Sequence, residues 1–188
     1  PLALIPMGDK ASFGRVLGKV MGNAFDYVAV NREHATAQGQ LSLDELIDIY
    51  HYHDLNQATK IYALLANPVD KSVGHLFHNH FFQKQRQNAV YVKIEQDKER
   101  LNELLQLMLD FPFYGLSLSM PLKQSVKQEQ MINTLVRVNN VWRAFNTDGQ
   151  AVMNLLQLKS GMHVLIMGNG GAAKGIAAAC LQSGVKVF

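Results

Sequence analysis

The apolar run Val164-Leu165-Ile166-Met167 breaks into Gly168-Asn169-Gly170-Gly171-Ala172-Ala173 and then into an Ala-rich stretch. No other segment restricts the fold as tightly. A buried strand must end where the glycines begin, and a helix must open there with its orphan amides facing the turn. In a dinucleotide-binding turn the first glycine makes the tight bend and the second admits backbone to a pyrophosphate. A third small residue lets the helix pack closely on the strand. Gly168, Gly170 and Ala173 fill those three places. Gly168, Asn169, Gly170, Gly171 and Ala172 are therefore candidate cofactor-binding residues, with an ordinary Gly-rich βα turn as the alternative. The residue that reads the ribose is expected ~20 positions further on. That position falls past Phe188, so the motif leaves NAD and NADP both open.

The rest of the chain has a matching rhythm. Residues 61–66, the alternating 90–94 and residues 114–120 read as strands, and residues 78–85 and 101–108 as helices. Strand, helix, strand, helix, strand predicts a mainly parallel sheet with right-handed crossovers. Residues 149–158 read as an amphipathic helix, 163–167 as a strand and 171–182 as a helix, with 185–188 beginning another strand. Upstream, residues 2–5 and 25–30 are strand candidates and 15–21 a short helix. Ser42-Leu43-Asp44-Glu45 is a capping box opening a further helix. That order fits the closing part of a barrel or of an open α/β sheet. Residues 54–57 read as a linker. The start and end of the chain read as the middle of a longer protein.

Composition excludes several function classes. Of 188 residues, 48% are hydrophobic and 18% charged, as in an ordinary globular protein. The longest apolar runs are too short to span a bilayer, and no signal peptide is expected. The single Cys180 precludes an intrachain disulfide and fits a reducing cytoplasm. A formal charge of +3 is spread without Lys/Arg runs, so nucleic acid is not an expected partner; small anionic molecules are.

Two further motifs carry chemistry. Ser119-Met120-Pro121-Leu122-Lys123 places a lysine after a proline-stiffened turn, and Asn146-Thr147-Asp148-Gly149 places a carboxylate on a turn leading into a helix. Hydride transfer to a carbonyl builds negative charge on oxygen, which a nearby ammonium stabilises. Lys123 is thus a candidate acid–base group and Asp148 its partner, against the alternative of a solvated lysine and an Asx-type turn. His75, His78 and His80 cluster in sequence, but the last two fall on different helix faces and no metal is expected.

At this level the chain resembles a known family. Residues 62–69, Ser72, His78-Asn79, Tyr114-Gly115, the lysine motif, Ile132-Asn133-Thr134, Asn146-Thr147-Asp148-Gly149 and the glycine turn are similar, in order, to shikimate dehydrogenase. Pro6-Met7-Gly8, Arg15 and Thr36-Ala37-Gln38-Gly39-Gln40 are similar to the C-terminal part of type I 3-dehydroquinate dehydratase. Together they imply the bifunctional enzyme of the shikimate pathway, which makes the aromatic amino acid precursor chorismate. The implied fold is α/β: the tail of a (β/α)8 barrel over residues 1–57, a shikimate-binding domain over 58–148, and the start of a Rossmann domain over 149–188. The resemblance implies NADP-dependent reduction of 3-dehydroshikimate, with Lys123 and Asp148 catalytic. Ser72 would bind the substrate carboxylate, Asn133 and Asn146 the ring hydroxyls, and Ser119 would line the site. Arg15, Thr36 and Gln40 would serve the dehydratase substrate.

The chain departs from these patterns in places. Gly74 stands where a second carboxylate-binding serine is expected, and His75 where a proline is. Ser117 and Ser119 replace Asn and Thr, and Gln38 replaces Pro. Only four residues, Gln128 to Met131, stand where a longer helical segment ending in Gly-Ala belongs. Neither Lys10 nor Lys19 fits a Schiff-base lysine, so no dehydratase activity is expected of this chain alone. A binding module without catalysis, or a quinate-type relative, are the alternative readings.

Overall fold

The computed structural model describes residues 2–124 and 131–188; the short segment noted before Met131 lies largely outside them. A mixed five-stranded sheet is its centre, in the order β2-β1-β3-β4-β5. The strands are β1 (Lys60–Ala66), β2 (Ala89–Glu95), β3 (Phe113–Leu118), β4 (Thr134–Val138) and β5 (Val141–Phe145). β1 pairs in parallel with β2 and β3, whereas β3–β4 and β4–β5 are antiparallel. The expectation of a mainly parallel sheet therefore holds for the first three strands only. Residues 134–145 carry no strand expectation above, yet they form a hairpin. Their signal is Asn139-Asn140, both with positive φ (51° and 61°), as a two-residue hairpin turn requires.

Helices cover both faces. α1 (Ser12–Val20) and α3 (Leu101–Leu107) share one apolar cluster with Ile61, Ala63 and Leu65 of β1. α2 (Gly74–Lys84) covers Leu64, Ala66 and Tyr91 on the other face through Phe82. Because β1 is buried on both sides, its sequence is a continuous apolar run rather than an alternation. Each Ile, Leu or Val buried this way contributes about 1.5–3 kcal/mol relative to exposure. The first cluster also takes in Leu41, Leu46, Tyr50 and Leu55, so the core runs across the boundary expected at residue 57.

β2 is an edge strand, and α2 closes its free side with one residue. Asn79 Nδ2 donates to Tyr91 O (2.9 Å), while Tyr91 N donates to Asn79 Oδ1 (2.7 Å). The side-chain amide replaces a neighbouring strand and satisfies two buried backbone groups.

In the first 57 residues the short helix forms, as α1, but the expected strands do not. Residues 2–5 form no strand; Leu4 instead exchanges hydrogen bonds with the Asn23 amide. Residues 25–30 contribute a single bridge, Ala29 to Ser42. Without a neighbouring strand their backbone groups turn to side chains and loops. The capping box forms as expected, Ser42 N donating to Glu45 Oε2 (3.0 Å) and Glu45 N to Ser42 Oγ (3.3 Å). The turn that follows, Glu45–Ile49, is wound as a π-helix rather than an α-helix.

At the other end, α4 (Asp148–Leu155), β6 (His163–Val164), α5 (Gly171–Gln182) and β7 (Lys186–Val187) build a small βαβ unit with β6 parallel to β7. Its own core holds Met153, Cys180 and Val185. Cys180 is thus a packing residue. β6 stops at Val164, three residues short of the expected strand end.

Candidate active site

The site is built where β3, β4 and α4 meet. β3 hands over to the lysine motif through two backbone bonds: Leu118 N to Asn133 O (2.7 Å) and Ser119 N to Leu65 O (3.0 Å). Leu122 is fully buried and pins the short turn Leu122–Gln124 to the core. Lys123, its neighbour, is half-buried and meets Asp148: Nζ lies 2.7 Å from Oδ2.

Asn133 fixes the carboxylate from the opposite side. Its Nδ2 donates to Asp148 Oδ1 (2.7 Å) and Thr147 Oγ1 (2.9 Å), and its Oδ1 accepts from Thr147 N (3.0 Å). Asn146 shapes the turn, with Oδ1 accepting from Asp148 N (2.9 Å) and Nδ2 donating to Met131 O (2.7 Å). Both carboxylate oxygens are therefore held. Asp148 opens α4, where the helix N-terminus also favours negative charge. A short, charge-assisted ammonium–carboxylate contact with little water around it can hold or pass one proton at a defined point. Thr147 belongs to this network and carries no role in the sequence reading.

The glycine turn lies beside this pair. A Cβ on Gly171 would stand 2.7 Å from Met131 Cε and 3.6 Å from Lys123 Cδ. Gly168 has φ of 132°, a conformation suited to glycine. Nothing lies within 4 Å of the Cβ positions of Gly168 or Gly170, so the turn presents bare backbone. Asn169 and Ala172 flank it, exposed. Close packing of α4 on α5 ties the turn to the carboxylate. A Cβ on Gly149 would stand 2.4 Å from Ala179 Cβ, and one on Gly175 2.3 Å from Asn146 Nδ2.

Ser72 follows β1. Its Oγ accepts from Gly74 N (3.3 Å) and its backbone oxygen accepts from Lys93 Nζ (3.4 Å). His75 is buried against Tyr50, its Nδ1 without a partner among the described residues. Burial, with the Lys93 charge nearby, pushes its pKa down to about 4. His78 stacks on Tyr91 at 4.3 Å, away from His75 in role.

The residues singled out in the first 57 positions form two separate groups. Arg15 is buried and faces Asp26 Oδ1 at 3.5 Å, with Nη1 donating to Tyr27 O (3.3 Å). Burial raises the Asp26 pKa against the pull of Arg15. Thr36 and Gln40 bind one another, Thr36 N donating to Gln40 Oε1 (2.8 Å). Gln40 lines a cavity of about 420 Å³ with Asp9, Ser12 and Arg32, and Arg15 is not among its walls.

Residues 64–147 match the family described as the shikimate dehydrogenase substrate binding domain. Among curated proteins, the shikimate biosynthesis protein AroDE of Chlamydia pneumoniae is 35% identical over 202 residues, covering 100% of this chain and 42% of that protein. The chloroplastic bifunctional 3-dehydroquinate dehydratase/shikimate dehydrogenase of Arabidopsis thaliana is 24% identical, covering 100% and 36%. A shikimate dehydrogenase (NADP(+)) of Streptococcus pneumoniae is 31% identical, covering 70% and 51%. The chain thus spans about half or less of the length of these relatives. Among solved structures, the shikimate 5-dehydrogenase of Listeria monocytogenes in complex with shikimate and NAD superposes with a TM-score of 0.65 at 25% identity, over 71% of this chain and 53% of that one. The Thermus thermophilus shikimate 5-dehydrogenase in complex with NADP(H) and shikimate gives 0.59 at 25% identity, over 69% and 54%.

Proposed function

We propose that this chain is part of a shikimate dehydrogenase, joined in its parent protein to a type I 3-dehydroquinate dehydratase, and that its site interconverts 3-dehydroshikimate and shikimate. The observation that carries the reading is the Lys123 Nζ to Asp148 Oδ2 contact of 2.7 Å, braced by Asn133 and set beside the glycine turn. The match of residues 64–147 to the substrate-binding family supports it. So does the full-chain similarity to fused relatives. On this reading residues 1–57 are the end of the dehydratase barrel, 58–148 bind shikimate, and 149–188 begin the cofactor domain.

The bare backbone at Gly168 and Gly170 fits a pyrophosphate, since a side chain at either would occupy that space. NADP, the cofactor of the reading, supplies the hydride when bound. The chain's own residues handle the proton. As the ketone oxygen gains charge, the Lys123 ammonium stabilises it and then donates a proton to it. Asp148 orients the ammonium and Asn133 keeps Asp148 from turning away. Ser72 holds the carboxylate and Ser119 lines the same edge; Asn133 and Asn146 reach the ring hydroxyls by exchanging the bonds they make to Thr147 Oγ1 and Met131 O. In the barrel part, Thr36 and Gln40 would close over the dehydratase substrate, and Arg15, which stands apart from them here, would have to exchange Asp26 for the substrate carboxylate.

Calorimetry of this chain with shikimate and NADP tests the reading. Binding of shikimate supports it, and no binding of either ligand refutes it. Gly74 favours a second reading, a quinate-type relative. A Cβ there would meet only Ser72 Oγ, at 3.6 Å, which leaves room for an additional hydroxyl. Tighter binding of quinate than of shikimate would establish that version.

A further inference from the structure

On the dehydrogenase reading Gly74 stands where a second hydroxyl would meet the substrate carboxylate, and the sheet register shows which side chains share a face with Lys93. Lys93 pairs with Leu64, Leu64 with Ser117, and Ser117 with Thr134. Side chains in one such row share a face of the sheet. The row runs from Lys93 on the edge strand to Thr134, whose Oγ1 donates to Asn133 Oδ1 (2.9 Å). Asn133 in turn holds Asp148. At one end of this row is a cation, and at the other Thr134, which reaches the Lys123–Asp148 pair through Asn133.

Lys93 is poised rather than neutralised. It forms no ion pair among the described residues, and its Nζ donates to the Ser72 backbone oxygen at 3.4 Å. Burial lowers its pKa, the largest effect on it; Asp70 and Glu45 act on it favourably and Arg32 unfavourably. The same corner holds the buried His75 ring, beside the Ser72 backbone and within reach of the Lys93 charge. The Ser72 hydroxyl oxygen accepts from Gly74 N, so its proton is available to an acceptor. A half-buried ammonium thus meets the Ser72 backbone, and the same residue carries a hydroxyl whose proton is free for an acceptor.

We propose that Lys93 is a specificity-determining residue that binds the substrate carboxylate together with Ser72, in place of the hydroxyl absent at Gly74. This rests on the dehydrogenase reading given above. A charge-assisted contact tells a carboxylate from its ester more sharply than two neutral hydroxyls do.

The test is calorimetry of this chain with shikimate and with shikimate methyl ester, for the wild type, Lys93→Gln, Lys93→Arg and Gly74→Ser. Lys93→Gln is expected to weaken shikimate about tenfold, equivalent to about 1.4 kcal/mol, and to leave the ester within about twofold. Lys93→Arg should keep most of the affinity, and Gly74→Ser should bind at least as tightly as the wild type. Unchanged shikimate affinity in Lys93→Gln overturns the assignment while leaving the dehydrogenase reading intact. Equal weakening of acid and ester also overturns it, because it marks a structural role. Failure of the wild type to bind shikimate removes the dehydrogenase reading, and this inference with it.

Discussion

Asn133 Nδ2 lies 2.7 Å from Asp148 Oδ1, and the oxygen on the other side of that carboxylate takes the Lys123 ammonium. One residue just before β4 therefore decides whether the carboxylate faces the lysine. Asn133 also ties Thr147 through its amide oxygen, so it locks the turn as well as the charge.

Asn133→Ala should lower stability by about 1–3 kcal/mol, the cost of leaving partly buried partners without their hydrogen bonds. Asn133→Asp should be worse, since it sets a second carboxylate against Asp148. Chemical denaturation of the three proteins measures this. Equal midpoints for wild type and Asn133→Ala would show that the network adds nothing to the fold.

Asn79→Ala uncovers the edge of β2. Tyr91 N and O would lose the amide that completes their pairing, and the free edge would invite association between chains. A lower melting temperature and a concentration-dependent increase in size are expected. Unchanged melting would mean that water replaces the amide without loss.

Gly149→Ala should separate α4 from α5. The added methyl would stand 2.4 Å from Ala179 Cβ and 2.9 Å from the Gly175 carbonyl oxygen, and neither can move aside without shifting a helix. A destabilisation of about 1–3 kcal/mol is expected. Gly161→Ala is a control for a methyl that meets nothing, although its φ of 85° still carries strain. A Gly149→Ala protein as stable as the wild type would contradict the helix contact.

His75 makes stability depend on pH. Its pKa in the folded protein is about 4 against an ordinary 6.5, so the unfolded chain takes up this proton first as pH falls. The contribution is fully present above about 6.5, declines through that interval and is lost below about 4. His75→Gln should flatten the difference in unfolding free energy between about pH 7 and about pH 5. A variant with the same slope as the wild type would place the histidine in water.

Much of this architecture is legible in the residues, and the misses have physical causes. The helix Gly171–Gln182 is where the glycine turn places it, because glycines bound it at both ends. Ile61 to Ala66 forms a strand because an uninterrupted apolar run suits a sheet covered on both faces. Residues 2–5 look as apolar but find no strand to pair with. The β4–β5 hairpin is hidden in the sequence because the exposed Val136, Val141 and Phe145 blur its alternation and its turn uses Asn-Asn rather than Asn-Gly. Lys123 and Asp148 stand out by motif, whereas their contact, across 25 positions, depends on Asn133 and on the buried Leu122. Lys93 has no motif; only the register aligns it with Ser117 and Thr134.

The most direct test is the rate of NADPH oxidation with 3-dehydroshikimate by the full-length parent protein, wild type against Lys123→Ala. Loss of acid–base catalysis typically costs about 100-fold to 10,000-fold, and a fall in kcat within that range is expected with shikimate binding retained. Turnover equal to the wild type would contradict the assignment of Lys123 and, with it, the catalytic role of its contact with Asp148.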